Sequence, residues 1–364
     1  MVVSLADVAA SLRNAIVERR SWLRLVLALY IGTATARLAW YPLSVPDFRD
    51  FSLFWWSAKA LLKGVDPYSA IGPTGSFYTW PYPQTYPITG LLPIAPLTLF
   101  PPPLAATLFS AGSAAILAFL LSRDGYARLA VFLSWGFFYA VNTGQWSPLL
   151  TAAALLPPLG FLLIAKPTIG LALFAFRPTL TAATGCLLLL ALSLAVQPTW
   201  PADWLANVGA ARGHFRIPLF VPGGQLLLLA ALRWKRPEAR LLLALACIPH
   251  SMLPYETVLL FLLVSTAAEG ITLASLSWIW MMVRASTASG ETLEARYDAH
   301  ALWMVLLMYL PALVMVLRRS NEGDSPALLR SLSRWIRSPL RAWRPAESRA
   351  AARSPAVASS PYAR

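Results

Sequence analysis

Two aspartates, Asp47 and Asp50, stand a few residues beyond an apolar run, Trp22 to Tyr41. A carboxylate there faces both water and the boundary of a bilayer, where it can serve as a general base toward a hydroxyl on a lipid substrate. A local role is the alternative: an aspartate at a helix start accepts backbone N–H bonds and favours the positive end of the dipole. Asp47 and Arg49 also read as simple loop polarity. Asp66-Pro67-Tyr68 has the form of a turn. The segment Ile248 to Glu256 places His250, Tyr255 and Glu256 among prolines, partway along an apolar stretch. Ionisable groups at membrane depth are costly unless they line a cavity, so these three are candidates for substrate contact, against the alternative of a histidine satisfied inside a bundle. Lys166, just before Pro167, suits a phosphate as a point charge or simply snorkels toward water. Asn142 to Gln145 is a polar, glycine-containing link that reads as a turn or as a substrate contact.

Those groups need membrane helices to position them. Of 364 residues, 57% are hydrophobic and 13% charged, far from the usage of soluble domains. Apolar runs such as Trp22 to Tyr41, Leu180 to Val196, Gln225 to Leu232 and Ala301 to Leu317 are long or clustered enough to cross about 30 Å of hydrocarbon. The chain has room for about ten such helices. The net charge of +14 comes largely from arginine clusters between apolar runs, so it reads as a topology signal and not as a nucleic-acid surface. By the positive-inside rule, Arg13 to Arg24, Arg123 to Arg128, Arg233 to Arg240 and the tail from Arg318 are cytoplasmic. The stretch from Pro42 to about Thr85 and the loops 142–146, 197–216 and 286–300 then lie on the outer side. Three stretches, 86–122, 147–176 and 241–283, must each cross an odd number of times, and their prolines predict broken or re-entrant helices.

Residues 50–64 carry apolar positions at helical spacing with Lys59 and Lys63 on the other face, which predicts a helix lying along the membrane surface. Gly64 stops it. The tail from Leu328 to Trp343 interleaves Leu, Trp and Ile with arginines, a pattern for an anionic leaflet, and residues beyond Pro345 have a disordered composition. The fold expected is thus an all-α polytopic membrane protein. Residues 1–317 form the multi-span domain, 42–85 its outer loop and 318–364 a basic cytoplasmic tail.

No P-loop, dinucleotide fingerprint, zinc-protease helix or serine-hydrolase elbow stands at a convincing position. Cys186 and Cys247 lie in apolar segments without metal or disulfide spacing. No metal ligand set and no cofactor site is read from the sequence.

The order Asp50, an aromatic-rich helix, then Leu61 through Gly64-Val65-Asp66-Pro67-Tyr68, resembles glycosyltransferase family 87. Tyr86-Pro87, Ala95-Pro96-Leu97, Gly144-Gln145, Lys166-Pro167 and the His250 segment extend the resemblance over about residues 40–260. It implies a GT-C-like bundle in a bacterial cytoplasmic membrane that takes a hexose, mannose by family precedent, from a polyprenyl-phosphate donor. A lipid or glycan acceptor receives it with inversion at the outer face. It further implies Asp50 as the general base with Asp47 in reserve, and Lys166 and His250 near the donor phosphate. Gln145, Tyr68, Tyr255 and Glu256 complete the expected substrate contacts. The competing reading is a lipid or sugar transporter or flippase with the same cavity; a subunit with no activity of its own leaves the Asp50 to Tyr68 block unexplained.

Overall fold

The computed structural model describes residues 5–44, 50–287 and 292–323; Asp47 and the segment from Leu328 to Trp343 lie outside them. The described chain is predominantly helical. Its one sheet is a pair of two-residue parallel strands, Ile71–Gly72 beside Tyr78–Thr79. Among the described residues, three helical stretches are long and apolar enough to cross a membrane: Ser21–Trp40 within α1 (Leu5–Ser44), Pro102–Asp124 containing α3 (Pro102–Leu121), and Glu294–Leu317. A fourth span is reached if α7 (Leu180–Val196) and α8 (Trp200–Ala210), bent by 98° at their junction, count as one. The chain is therefore an all-α protein with helices fit to span a membrane.

Proline placement sets where helices begin. α3, α5 (Ser147–Leu155), α6 (Pro167–Phe176) and α9 (Pro237–Cys247) each carry proline in the first turn, where its missing N–H costs nothing. α4 (Trp135–Thr143) starts under a Ser134 cap that accepts from the Phe137 N–H at 3.1 Å, and α7 starts under Thr179 in the same way. Prolines also cut the sequence stretch 147–176 into three pieces: α5, a tight 3₁₀ segment Pro157–Ala165, and α6. At about 1.5 Å per residue, helices of 9 and 10 residues reach about 15 Å, half the hydrocarbon thickness.

Contacts between distant parts of the chain define two ends of the bundle. At one end, guanidinium groups bind the carbonyls that helix C-termini leave open. Arg24 donates to Phe119 O at 2.8 Å, Arg177 to Leu155 O at 3.1 Å, Arg240 to Ala175 O at 3.1 Å and Arg233 to Leu317 O at 3.1 Å. Arg319 joins them through Glu238 at 3.4 Å and Glu269 at 2.9 Å. Arg24, Arg233, Arg240 and Arg319 come from three of the clusters that the sequence reads as lying on one side.

The loops assigned to the other side also meet. The Gln197 amide donates to Asp66 at 2.8 Å, Trp204 Nε1 to Thr85 O at 2.8 Å, and Asn207 Nδ2 to Tyr68 O at 3.2 Å. Residues 147–176 shuttle between these ends, since Gln145 and Lys166 sit at the second while Leu155 and Arg177 sit at the first. At the centre, all ten residues of the 3₁₀ segment Pro254–Leu263 are buried.

The predicted helix after Asp50 forms as α2 (Asp50–Leu62), and Gly64 ends it with φ +70°. It packs into the protein along much of its length. Phe51, Leu53, Phe54, Trp55, Ser57, Ala58 and Ala60 are buried, and Lys59 reaches Thr98 O at 3.4 Å in the segment Ile88–Leu99, while Lys63 stays exposed. Helical periodicity gave the element correctly, and an apolar segment from later in the chain packs against it.

Candidate active site

Asp50 is the first residue of α2, and its carboxylate is held from below by a turn 95 residues away in sequence. α4 ends at Gly144, which takes the left-handed conformation with φ +68°. A Cβ at Gly144 would stand 2.5 Å from Phe51 Cβ, so only glycine lets this turn press against the start of α2. The close approach brings the buried Gln145 to Asp50, and its amide donates to Asp50 Oδ2. Among the described residues no backbone N–H bonds the Asp50 carboxylate, so its role is not that of a helix cap. Burial pushes its pKa up to about 6, against the opposing pull of the Lys166 charge and the Gln145 hydrogen bond.

Lys166, between the 3₁₀ segment and α6, donates to Tyr255 Oη at 3.0 Å and lies 4.2 Å from the centre of the same ring. Glu256 Oε1 is 3.9 Å from Lys166 Nζ and accepts from Ser251 Oγ at 2.8 Å, while Ser251 Oγ also meets Tyr255 Oη at 2.7 Å. Behind this network, His250 Nδ1 bonds Ile248 O at 2.7 Å, so that nitrogen carries a proton. His250 Nε2 lies 2.8 Å from Tyr309 Oη, within hydrogen-bond distance. Glu256 Oε2 faces the same Nε2 at 3.9 Å and has no hydrogen-bond partner among the described residues. Two features hold the segment in this form. Arg216 and His250 exchange both backbone hydrogen bonds, at 2.9 and 3.1 Å, and Met252, fully buried, sits at φ +54°. A non-glycine residue in the left-handed region stores strain, and such strain collects at functional sites.

Asp50, Lys166, Ser251, Tyr255 and Glu256 all line one cavity of about 590 Å³. A base, a cation and a hydroxyl network around one volume can remove a proton and stabilise an anion in the same step.

The structure thus brings four of the sequence candidates, Asp50, Lys166, Tyr255 and Glu256, to one cavity wall. It places the others differently. Gln145 is behind Asp50 and orients it. His250 is behind Glu256, its ring turned toward Tyr309. Tyr68 donates its hydroxyl to Tyr86 O at 3.0 Å and supports the cavity rim from outside. Asp66 caps the turn at Tyr68, accepting its N–H at 3.1 Å, which is the turn role its sequence suggests. Asp47 lies outside the described residues. Sequence reasoning missed Ser251, which lies inside the His250 segment it singled out, and Trp204, His214 and Tyr297, which reach the cavity from segments with no motif. Among the described residues, no group of three or more His, Cys, Asp or Glu side chains is placed to hold a metal ion.

Compared with protein-family models, with curated proteins and with solved structures, the chain matches none.

Proposed function

We propose that this protein is a membrane glycosyltransferase of the GT-C kind, akin to glycosyltransferase family 87, that moves a hexose from a polyprenyl phosphate to an acceptor hydroxyl with inversion. The observation that carries the reading is that Asp50 and Lys166, from α2 and the start of α6, face one cavity. Asp50 takes the proton of the acceptor hydroxyl, whose oxygen attacks the anomeric carbon. The bond from that carbon to the phosphate oxygen breaks, the electron pair leaves with the phosphate, and Lys166 stabilises the charge that develops there. A phosphate is already a competent leaving group, so no acid is required on the donor side. A base with a pKa near 6 is largely ionised at neutral pH yet stronger than an ordinary aspartate.

The membrane assignment follows the same frame. The arginine end of the bundle is cytoplasmic by the positive-inside rule, and the cavity end is the outer face, where nucleotide sugars are absent and a lipid-linked donor is the available substrate. About ten crossings, several made by short broken helices around the buried Pro254–Leu263 segment, make up the bundle. Mannose is the hexose that family precedent favours.

The test is transfer from radiolabelled polyprenyl-phosphate hexoses to membrane lipids by purified wild type and Asp50→Asn, with folding followed by size-exclusion profile. Transfer by wild type that vanishes in a folded Asn variant supports the assignment. An active, well-folded Asp50→Asn protein would remove Asp50 from the mechanism. No transfer from any donor by folded wild type would favour a lipid or sugar transporter built on the same cavity.

A further inference from the structure

Away from the active site, a groove of about 630 Å³ lies between α1, the 3₁₀ segment Ala127–Leu133 and α10 (Ala267–Thr287). Its α1 wall extends from Leu27 to Leu38. At about 1.5 Å per residue that wall is about 16 Å long, half the hydrocarbon thickness and so the depth of one leaflet. The lining is apolar apart from the hydroxyls of Thr35, Tyr30 and Tyr126. Tyr30, Leu133 and Ile271 in it are each more than half exposed, so the groove opens sideways, where a membrane span meets lipid.

Charge gathers at one end only. Arg128 stands between Ala127 and Leu129 of the wall, and its Nε donates to Val264 O at 3.1 Å. That is the one hydrogen bond its guanidinium makes among the described residues, which leaves both terminal nitrogens as donors. Arg24 lies one turn before Leu27 on α1 and bonds Phe119 O at 2.8 Å and Ser122 Oγ at 3.4 Å, four residues before Tyr126. Arg123 follows Ser122 and is exposed. The nearby acids Glu238 and Glu269 are taken up by Arg319, at 3.4 and 2.9 Å. Among the described residues, this end then sets Asp124 against Arg24, Arg123 and Arg128.

A helix packed into the groove would match its walls but leave the arginine end unmatched, and a neutral lipid would do the same. An anionic head on an apolar chain one leaflet long meets both features. Guanidinium groups pair with phosphate oxygens, and basic sites between membrane helices at the cytoplasmic side suit anionic head groups. We propose that the groove binds an anionic phospholipid of the leaflet at the arginine end, which is the cytoplasmic one by the positive-inside rule. Its chain lies between α1 and α10, and its phosphate meets Arg128 and Arg24. Asp50 and Lys166 belong to the opposite end of the bundle, so this lipid is not a sugar donor. The inference rests on the membrane reading and is independent of the transferase reading.

The experiment is native mass spectrometry of the full chain in detergent, supplied with equal amounts of phosphatidylglycerol and phosphatidylcholine of identical chains. Folding is followed by size-exclusion profile. The expected result is one retained phosphatidylglycerol, favoured over phosphatidylcholine by about tenfold, as two arginines beside an anionic head allow. Arg128→Gln should cut that preference by about fivefold, and Arg128→Lys, which keeps the charge, should retain most of it. Ala34→Trp, which fills the groove and leaves both arginines in place, should remove the bound lipid. A saturating short-chain polyprenyl phosphate should not displace it. Equal retention of both lipids by folded wild type, a preference unchanged in Arg128→Gln, a lipid still held by Ala34→Trp, or displacement by the polyprenyl phosphate would each overturn the proposal. A dimer in place of the lipid adduct would overturn it too and give the groove to a second copy. Where Arg128→Gln does not fold, Ala34→Trp and the competition decide the question. Sugar transfer does not enter the readout, so failure here is distinct from failure of the transferase reading.

Discussion

Gln145 donates its side-chain amide to the Asp50 carboxylate, joining the turn between α4 and α5 to the first residue of α2. A hydrogen bond to the charged form of an acid lowers its pKa, so this contact restrains the rise that burial imposes on Asp50. It also fixes the direction in which the base points.

Gln145→Ala should therefore shift the acid limb of the pH–rate profile upward. In wild type the active, ionised form of Asp50 is lost as pH falls through about 6. Without the amide the carboxyl is harder to ionise and the limb moves to higher pH, with kcat down by about tenfold from lost orientation. The transfer rate measured from pH 5 to 8 for both proteins decides it; an unmoved limb would mean that Gln145 does not act through Asp50.

Gly144→Ala combines a left-handed backbone with a Cβ that would stand 2.5 Å from Phe51 Cβ. Its expected cost is about 2–4 kcal/mol. Gly64 has a similar φ of +70°, but a Cβ there would meet nothing within 4 Å, so Gly64→Ala should cost only about 1–2 kcal/mol. Thermal unfolding of the two variants in one detergent measures the difference. Equal losses would show that the approach of the turn to α2 carries no weight.

Lys166→Met should lower kcat/KM for the polyprenyl-phosphate donor by about 10²-fold, because it removes the cation facing the developing phosphate charge. It also leaves Glu256 without its 3.9 Å partner, so some instability is expected. Lys166→Met combined with Glu256→Gln removes the pair together and should recover stability without recovering activity. Recovery of both would assign Lys166 a purely structural role.

Asp66 is a stability residue. Burial alone would raise its carboxyl, but hydrogen bonds from the Gln197 amide, the Tyr68 N–H and Ser69 outweigh it and hold the pKa below the usual range. The folded-state value lies below the unfolded one, so the stabilisation is complete above about pH 4 and is lost as pH falls further. Asp66→Ala should cost about 1 kcal/mol at neutral pH and leave kcat nearly unchanged once folded. A large kcat loss in a folded Asp66→Ala protein would bring Asp66 into the chemistry.

The sequence by itself determined that the chain is helical, with runs long and apolar enough to cross a membrane. Long apolar runs demanded helices that satisfy their own backbone. It also determined α2, the Gly64 stop and the Asp66 turn, because periodicity, glycine and proline act over a few residues. Only the tertiary structure decided which candidates share a cavity. Asp50, Lys166 and Glu256 belong to three segments whose meeting depends on how broken helices of 9 and 10 residues stack, and no spacing in the chain encodes that. The same holds for Gln145 and His250, which fell behind the wall, and for Trp204, His214 and Tyr297, which reached it. Residue type signals a cost of burial, but only packing decides which neighbour meets that cost.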